Sequence, residues 1–114
     1  MYRVDENGNV AVNEKYREIL KLDKMLTEAG IPHTLERAID GWQVCYPVSR
    51  RTDHYNCVMD AVENAGSYGH EEDLLEIMGL LTPEEADYDS VAGYLTAENV
   101  FNRIKNHWKR NKEK

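Results

Sequence analysis

Apolar residues recur at helical spacing from Tyr16 onward: Tyr16, Ile19, Leu20, Leu22, Met25, Leu26 and Ala29 fall on one side of a helix. Asn13 is placed to cap its start and Gly30 to end it. The period then changes to two. Leu35, Arg37 and Ile39 share one face of a strand, and Trp42, Val44 and Tyr46 share a face of the next. Between them stands Asp40-Gly41, a pair that accepts the positive φ values of a two-residue turn, so residues 33–47 are predicted to form an antiparallel hairpin turning at that dipeptide. Pro47 ends the pairing or lies on an edge.

Residues 55–64 fit both periods. Val58, Ala61 and Val62 suit a helix, whereas Cys57, Met59 and Ala61 form one face of a strand; the segment is read as a third strand. The loop Gly66-Ser67-Tyr68-Gly69-His70 leads into residues 71–81, where Leu74, Leu75, Ile77, Met78 and Leu81 mark a short apolar helix that Gly79 weakens or ends. Thr82-Pro83-Glu84-Glu85 and Thr96-Ala97-Glu98-Asn99 are helix starts, with threonine as cap and early acids favouring the dipole. The second opens a helix whose stripe is Val100, Phe101, Ile104 and Trp108, read as core. At the other end, Asn7-Gly8-Asn9 either closes a small hairpin or marks a loose terminus across residues 1–12, the second reading being preferred. The expected architecture is one α+β domain over residues 1–114, a three-stranded antiparallel sheet covered by about three helices, with a basic tail at 109–114.

Composition narrows the class. The chain has 114 residues, 41% hydrophobic and 31% charged, which is enough for one core and outside the disordered range. It lacks the roughly 20 consecutive apolar residues of a spanning helix and begins without an apolar signal core, so a cytoplasmic protein without membrane contact is expected. Cys45 and Cys57 are too few for a disulfide framework and are expected to be reduced, buried and metal-free. His54-x-x-Cys57 is the one suggestive ligand spacing, and no second close pair completes a tetrahedral set, so no metal or other cofactor is expected.

Charge is distributed unevenly. Residues 1–51 carry eight acids and eight bases, residues 52–102 carry twelve acids with neither Lys nor Arg, and residues 103–114 carry six bases against Glu113. A field of one sign repels nucleic acid and attracts basic protein surfaces, which disfavours direct nucleic-acid binding. The acids Glu71, Glu72, Asp73, Glu76, Glu84, Glu85, Asp87 and Asp89 are therefore the candidate partner-binding residues, against the plainer reading of a solvated face.

Other chemistry is less marked. The glycine loop could receive an anion at a helix start, but Glu71, Glu72 and Asp73 follow at once, and no Walker lysine is present. Ser67 with His70, or Asp53 with Glu71 and Glu72, could form a catalytic set for a small hydrolase, although neither a nucleophile elbow nor a metalloprotease helix is present.

In Gly66-Ser67-Tyr68-Gly69-His70-Glu71, Leu74-Leu75-Glu76-Ile77-Met78-Gly79-Leu80-Leu81 and Gly93-Tyr94-Leu95-Thr96-Ala97-Glu98, the chain resembles small proteins carried by phages, prophages and mobile elements of bacteria. The resemblance spans about residues 16–108 and carries over no catalytic or binding residue. It implies a non-enzymatic accessory protein that occupies and inhibits a basic protein concerned with nucleic acid or defence. It also implies an alternative, a homo-oligomeric sponge for a nucleotide signal that would use Arg50, Arg51, Ser67, Tyr68 and His70.

Overall fold

The computed structural model describes residues 2–4, 10–12 and 16–112. Two short strands, β1 (Tyr2–Val4) and β2 (Val10–Val12), pair antiparallel; the Asn7-Gly8-Asn9 turn lies outside the described residues. Helix α1 (Arg17–Glu28) precedes a five-stranded antiparallel meander: β3 (Thr34–Ala38), β4 (Gly41–Tyr46), β5 (Met59–Glu63), β6 (Leu75–Met78) and β7 (Ala92–Leu95). A 3-10 turn (His70–Glu72) lies before β6, the short helix α2 (Pro83–Tyr88) lies before β7, and helix α3 (Ala97–Lys112) closes the order. Of the expected basic tail, residues 109–112 continue α3 as helix.

Directly opposed residues of an antiparallel pair lie on one face. Leu35, Val44, Ala61, Ile77 and Ala92 stand opposite one another in turn and make a row across all five strands. Onto this face pack Ile19, Leu22 and Leu26 of α1 and Val100 and Ile104 of α3, all fully buried. At about 1.5 to 3 kcal/mol for each large apolar side chain removed from water, this single layer of helix on sheet is the main source of stability. The periodicity of α1 predicted its buried stripe of Ile19, Leu22 and Leu26, with Tyr16 and Met25 half-buried beside it, whereas Leu20, 42% exposed, and Ala29, an exposed residue just past the helix, lie off it.

Both helix starts use carboxylates from distant elements. Tyr16 is the first-turn cap with φ of 70°, and its N–H and that of Arg17 donate to the two oxygens of Asp73. Asn13, the expected cap, lies outside the described residues. Glu18 of α1 in turn accepts from Ala97 N–H of α3 at 2.8 Å, while Thr96 accepts from Asn99 N–H at 3.2 Å as its position predicts. These bonds satisfy amide groups that have no partner inside their own helix.

Three expectations require correction. The sheet has five strands, not three, because residues 75–78 form β6 where an apolar helix was expected and residues 92–95 add β7. Alternation decides it: Leu75 and Ile77 are fully buried, Glu76 is half-buried and Met78 is 45% exposed, the period-two burial of a strand paired with β5. The chain leaves β6 through Gly79 and Leu80, both at positive φ. The hairpin between β3 and β4 is present, but Ala38 pairs with Gly41, so the two loop residues are Ile39 and Asp40, the latter with φ of 55°. Gly41 is needed for another reason: a Cβ there would lie 1.9 Å from the carbonyl oxygen of Glu63 on the neighbouring strand. The strand expected across residues 55–64 is present as Met59–Glu63.

The second face of the sheet carries Thr34, Glu36, Gln43, Cys45, Asp60, Val62 and Glu76. Residues 47–58 fold against it, with Ser49 and Cys57 buried and Arg50 donating to Asp60 at 2.8 Å. Cys45 and Cys57 are free thiols, and burial pushes that of Cys45 up. Among the described residues no helix is long and apolar enough to cross a membrane.

Candidate functional site

The site is assembled where α2 and the bulged end of the sheet meet. Thr82 caps α2 by accepting from Glu85 N–H at 3.2 Å, and Glu85 reaches back to accept from Thr82 N–H at 2.9 Å, a reciprocal capping box. The Glu85 carboxylate also takes a two-pronged bond from Arg103 of α3, at 2.7 and 2.9 Å, and Arg103 donates further to the Leu80 carbonyl at 3.0 Å. The Arg103 guanidinium is the chief reason that the Glu85 pKa is lowered to about 2. This junction fixes a helix of six residues, too short to be stable alone, against α3.

Beyond α2 the chain turns through Asp89 into β7. There Leu75 pairs with Leu95 and Ile77 with Ala92, so Gly93 and Tyr94 together oppose Glu76, a β-bulge. Tyr94 sits at φ of 59°, and its N–H donates to the carbonyl of Tyr68 at 3.3 Å. A Cβ at Gly93 would come within 2.3 Å of the Tyr68 Cβ, so only glycine admits this approach. Tyr68 is held by its own loop: Ser67, 4% exposed, exchanges hydrogen bonds with the Asn64 backbone, and Tyr68 N–H donates to Glu76 at 3.0 Å.

The result is a cleft of about 620 Å³ bounded by Glu84, Glu85 and Tyr88 of α2, by Asp89, by residues 91–94 and by Tyr68. Three tyrosines stand around it, with Tyr68 54%, Tyr88 92% and Tyr94 58% exposed. Of its three carboxylates Glu85 is committed to Arg103, which leaves Glu84 and Asp89 to set the sign of the field. The ionisable side chains that border it among the described residues are tyrosines and carboxylates, with no Lys or Arg to meet a phosphate. Phenol faces and carboxylates together attract cations.

The eight candidate acids divide. Glu84, Glu85 and Asp89 line the cleft, whereas Asp87 and Glu72 are exposed outside it. Glu71 lies 3.0 Å from the His70 ring. Asp73 and Glu76 serve the fold, the first as the α1 cap and the second as the acceptor for Tyr68 N–H. The alternative set does not share this cavity beyond Tyr68. Arg50 is paired with Asp60, Arg51 donates to the Arg37 carbonyl at 3.1 Å, Ser67 closes its turn and His70 faces Glu71. Tyr88 and Tyr94 were missed. Their signal was available: both are aromatic residues inside the stretch without Lys or Arg, one of them flanked by Asp87 and Asp89.

Protein-family models, curated proteins and solved structures contain no match to this chain.

Proposed function

We propose that the chain is a non-enzymatic binding module that docks a basic protein surface at the acidic, tyrosine-bordered cleft. One observation carries the reading: the cleft lies in the segment devoid of Lys and Arg, and two of its carboxylates, Glu84 and Asp89, are not used by a cationic side chain of the fold among the described residues. A basic surface gains by approaching charges that no neighbour neutralises, and long-range attraction raises its association rate. In the setting that the resemblance implies, this is an accessory protein of phage or prophage type that inhibits a nucleic-acid-handling or defence protein by covering its basic surface.

The test uses a fluorescent Lys/Arg peptide and anisotropy, with the full chain and with the Glu84→Gln/Asp89→Asn variant. Attraction that reaches about 8 Å at physiological ionic strength reaches only about 3 Å at 1 M. Affinity should fall steeply between those conditions and should fall with the double substitution at low salt. Binding indifferent to both would leave the acidic half a solvated face and end the proposal.

A further inference from the structure

The basic-docking reading leaves open which cation the cleft prefers, and its aromatic border bears on that choice. Two rings, those of Tyr68 and Tyr94, come from segments joined by a backbone hydrogen bond, and a third, Tyr88, stands on the facing helix. The bulge at Gly93 and Tyr94 and the capped turn of α2 place these three side chains, each more than half exposed, around one cavity.

A guanidinium and an ammonium differ in how they use such a border. The guanidinium is planar and weakly hydrated, so it stacks on a phenol face while its edge still offers N–H groups to a carboxylate. An ammonium is a compact, strongly hydrated charge that must surrender water to meet a ring. The carboxylates present here match the first. On the same helix, Glu85 already accepts a two-pronged bond from Arg103, which shows that an α2 carboxylate is accessible to a guanidinium edge. A cleft of about 620 Å³ lies within the size range of sites that enclose a whole small ligand, so it has room for more than one side chain of a segment.

Resting on the basic-docking reading, we infer that the cleft takes an arginine-bearing segment of a protein partner, with a guanidinium stacked on the tyrosine border and its N–H edge on Glu84 or Asp89. Lysine-bearing segments bind the same field without the stacking component.

The experiment compares fluorescein-labelled tetra-arginine, tetra-lysine and tetra-citrulline peptides by anisotropy at low salt on the full chain. Tetra-arginine should bind several-fold tighter than tetra-lysine, and tetra-citrulline should not bind. Tyr88→Leu and Tyr68→Leu should each weaken tetra-arginine about two- to fivefold, the worth of one exposed cation–π contact, and should leave tetra-lysine nearly unchanged. Tyr88 is 92% exposed, so its replacement leaves the core intact, and equal urea midpoints verify this. Equal affinity for the two basic peptides, or indifference of tetra-arginine to both leucine variants, overturns the guanidinium inference. If Glu84→Gln/Asp89→Asn still abolishes binding in that case, basic docking stands without it; if that variant binds both peptides as well as the native chain, the two fall together.

Discussion

Replacing Glu85 by Gln removes the charge that ties α2 to α3. The native carboxylate is lowered from 4.5 to about 2, chiefly by Arg103 and then by the Thr82 backbone. At 1.36 kcal/mol per unit, a shift of that size is worth at most about 3 kcal/mol. The Glu85 and Arg103 side chains are 27% and 16% exposed, so solvent screens part of it, and glutamine keeps some of the hydrogen bonding. The expected loss at neutral pH is about 2 kcal/mol, comparable with breaking a charge-assisted, two-pronged bond. Urea unfolding should show this as a midpoint lowered by about 1 to 2 M. The pH dependence supplies a second check. Because the folded pKa is the depressed one, the stabilisation is complete above the unfolded value of 4.5 and disappears as pH falls through about 2. The gap between native chain and variant should therefore be full at about pH 6, less than half as large at about pH 3 and nearly closed at about pH 2. A gap below about 0.5 kcal/mol, or one that does not change with pH, would refute the assignment of α2 anchoring to this pair.

Three further substitutions probe the scaffold by urea or thermal unfolding. Asp73→Ala leaves the Tyr16 and Arg17 amides without their carboxylate and should cost about 1 to 2 kcal/mol, whereas Glu72→Ala, exposed next to it, should stay within about 0.5 kcal/mol. Gly41→Ala places a Cβ 1.9 Å from the Glu63 carbonyl oxygen and should destabilise by more than about 2 kcal/mol, although φ at that residue is not positive; a neutral result would mean that β4 and β5 do not approach so closely. Ile77→Ala should cost about 2 to 5 kcal/mol and Met78→Ala far less, because strand β6 buries the first and exposes the second; equal costs would contradict the strand.

Much of the scaffold is legible in the chain where local signals and tertiary pairing agree. The stripe of α1, the Thr82 and Thr96 caps and the alternation of β3 and β4 are of this kind. Leu74-Leu75-Glu76-Ile77-Met78 fits both periods over too short a run for either to prevail, and what settles it is pairing with Asp60, Ala61 and Val62 far back in the sequence. Strand β7 is hidden by its own bulge, which interrupts alternation at Gly93 and Tyr94. The hairpin shifted by one residue because Gly41 answers to a neighbouring strand rather than to its turn. The acidic site was legible only as a stretch. Composition places Asp73 and Asp89 in one class, yet the first caps a helix 56 residues away in sequence and the second borders a cleft. Spacing cannot tell a carboxylate that caps a distant helix from one that, like Asp89, accepts from the next residue's N–H, at 2.6 Å, beside a cleft.

The most direct test of basic docking at the cleft is a ¹⁵N-resolved NMR titration of the full chain with tetra-arginine at low salt. The amides of Tyr68, Glu84, Tyr88, Asp89, Gly93 and Tyr94 should shift together along one saturable curve, and added salt should reverse the shifts. Shifts that centre on residues 50–54 or on the exposed end of α3, or shifts spread evenly over every acidic residue, would contradict a docking site at this cleft.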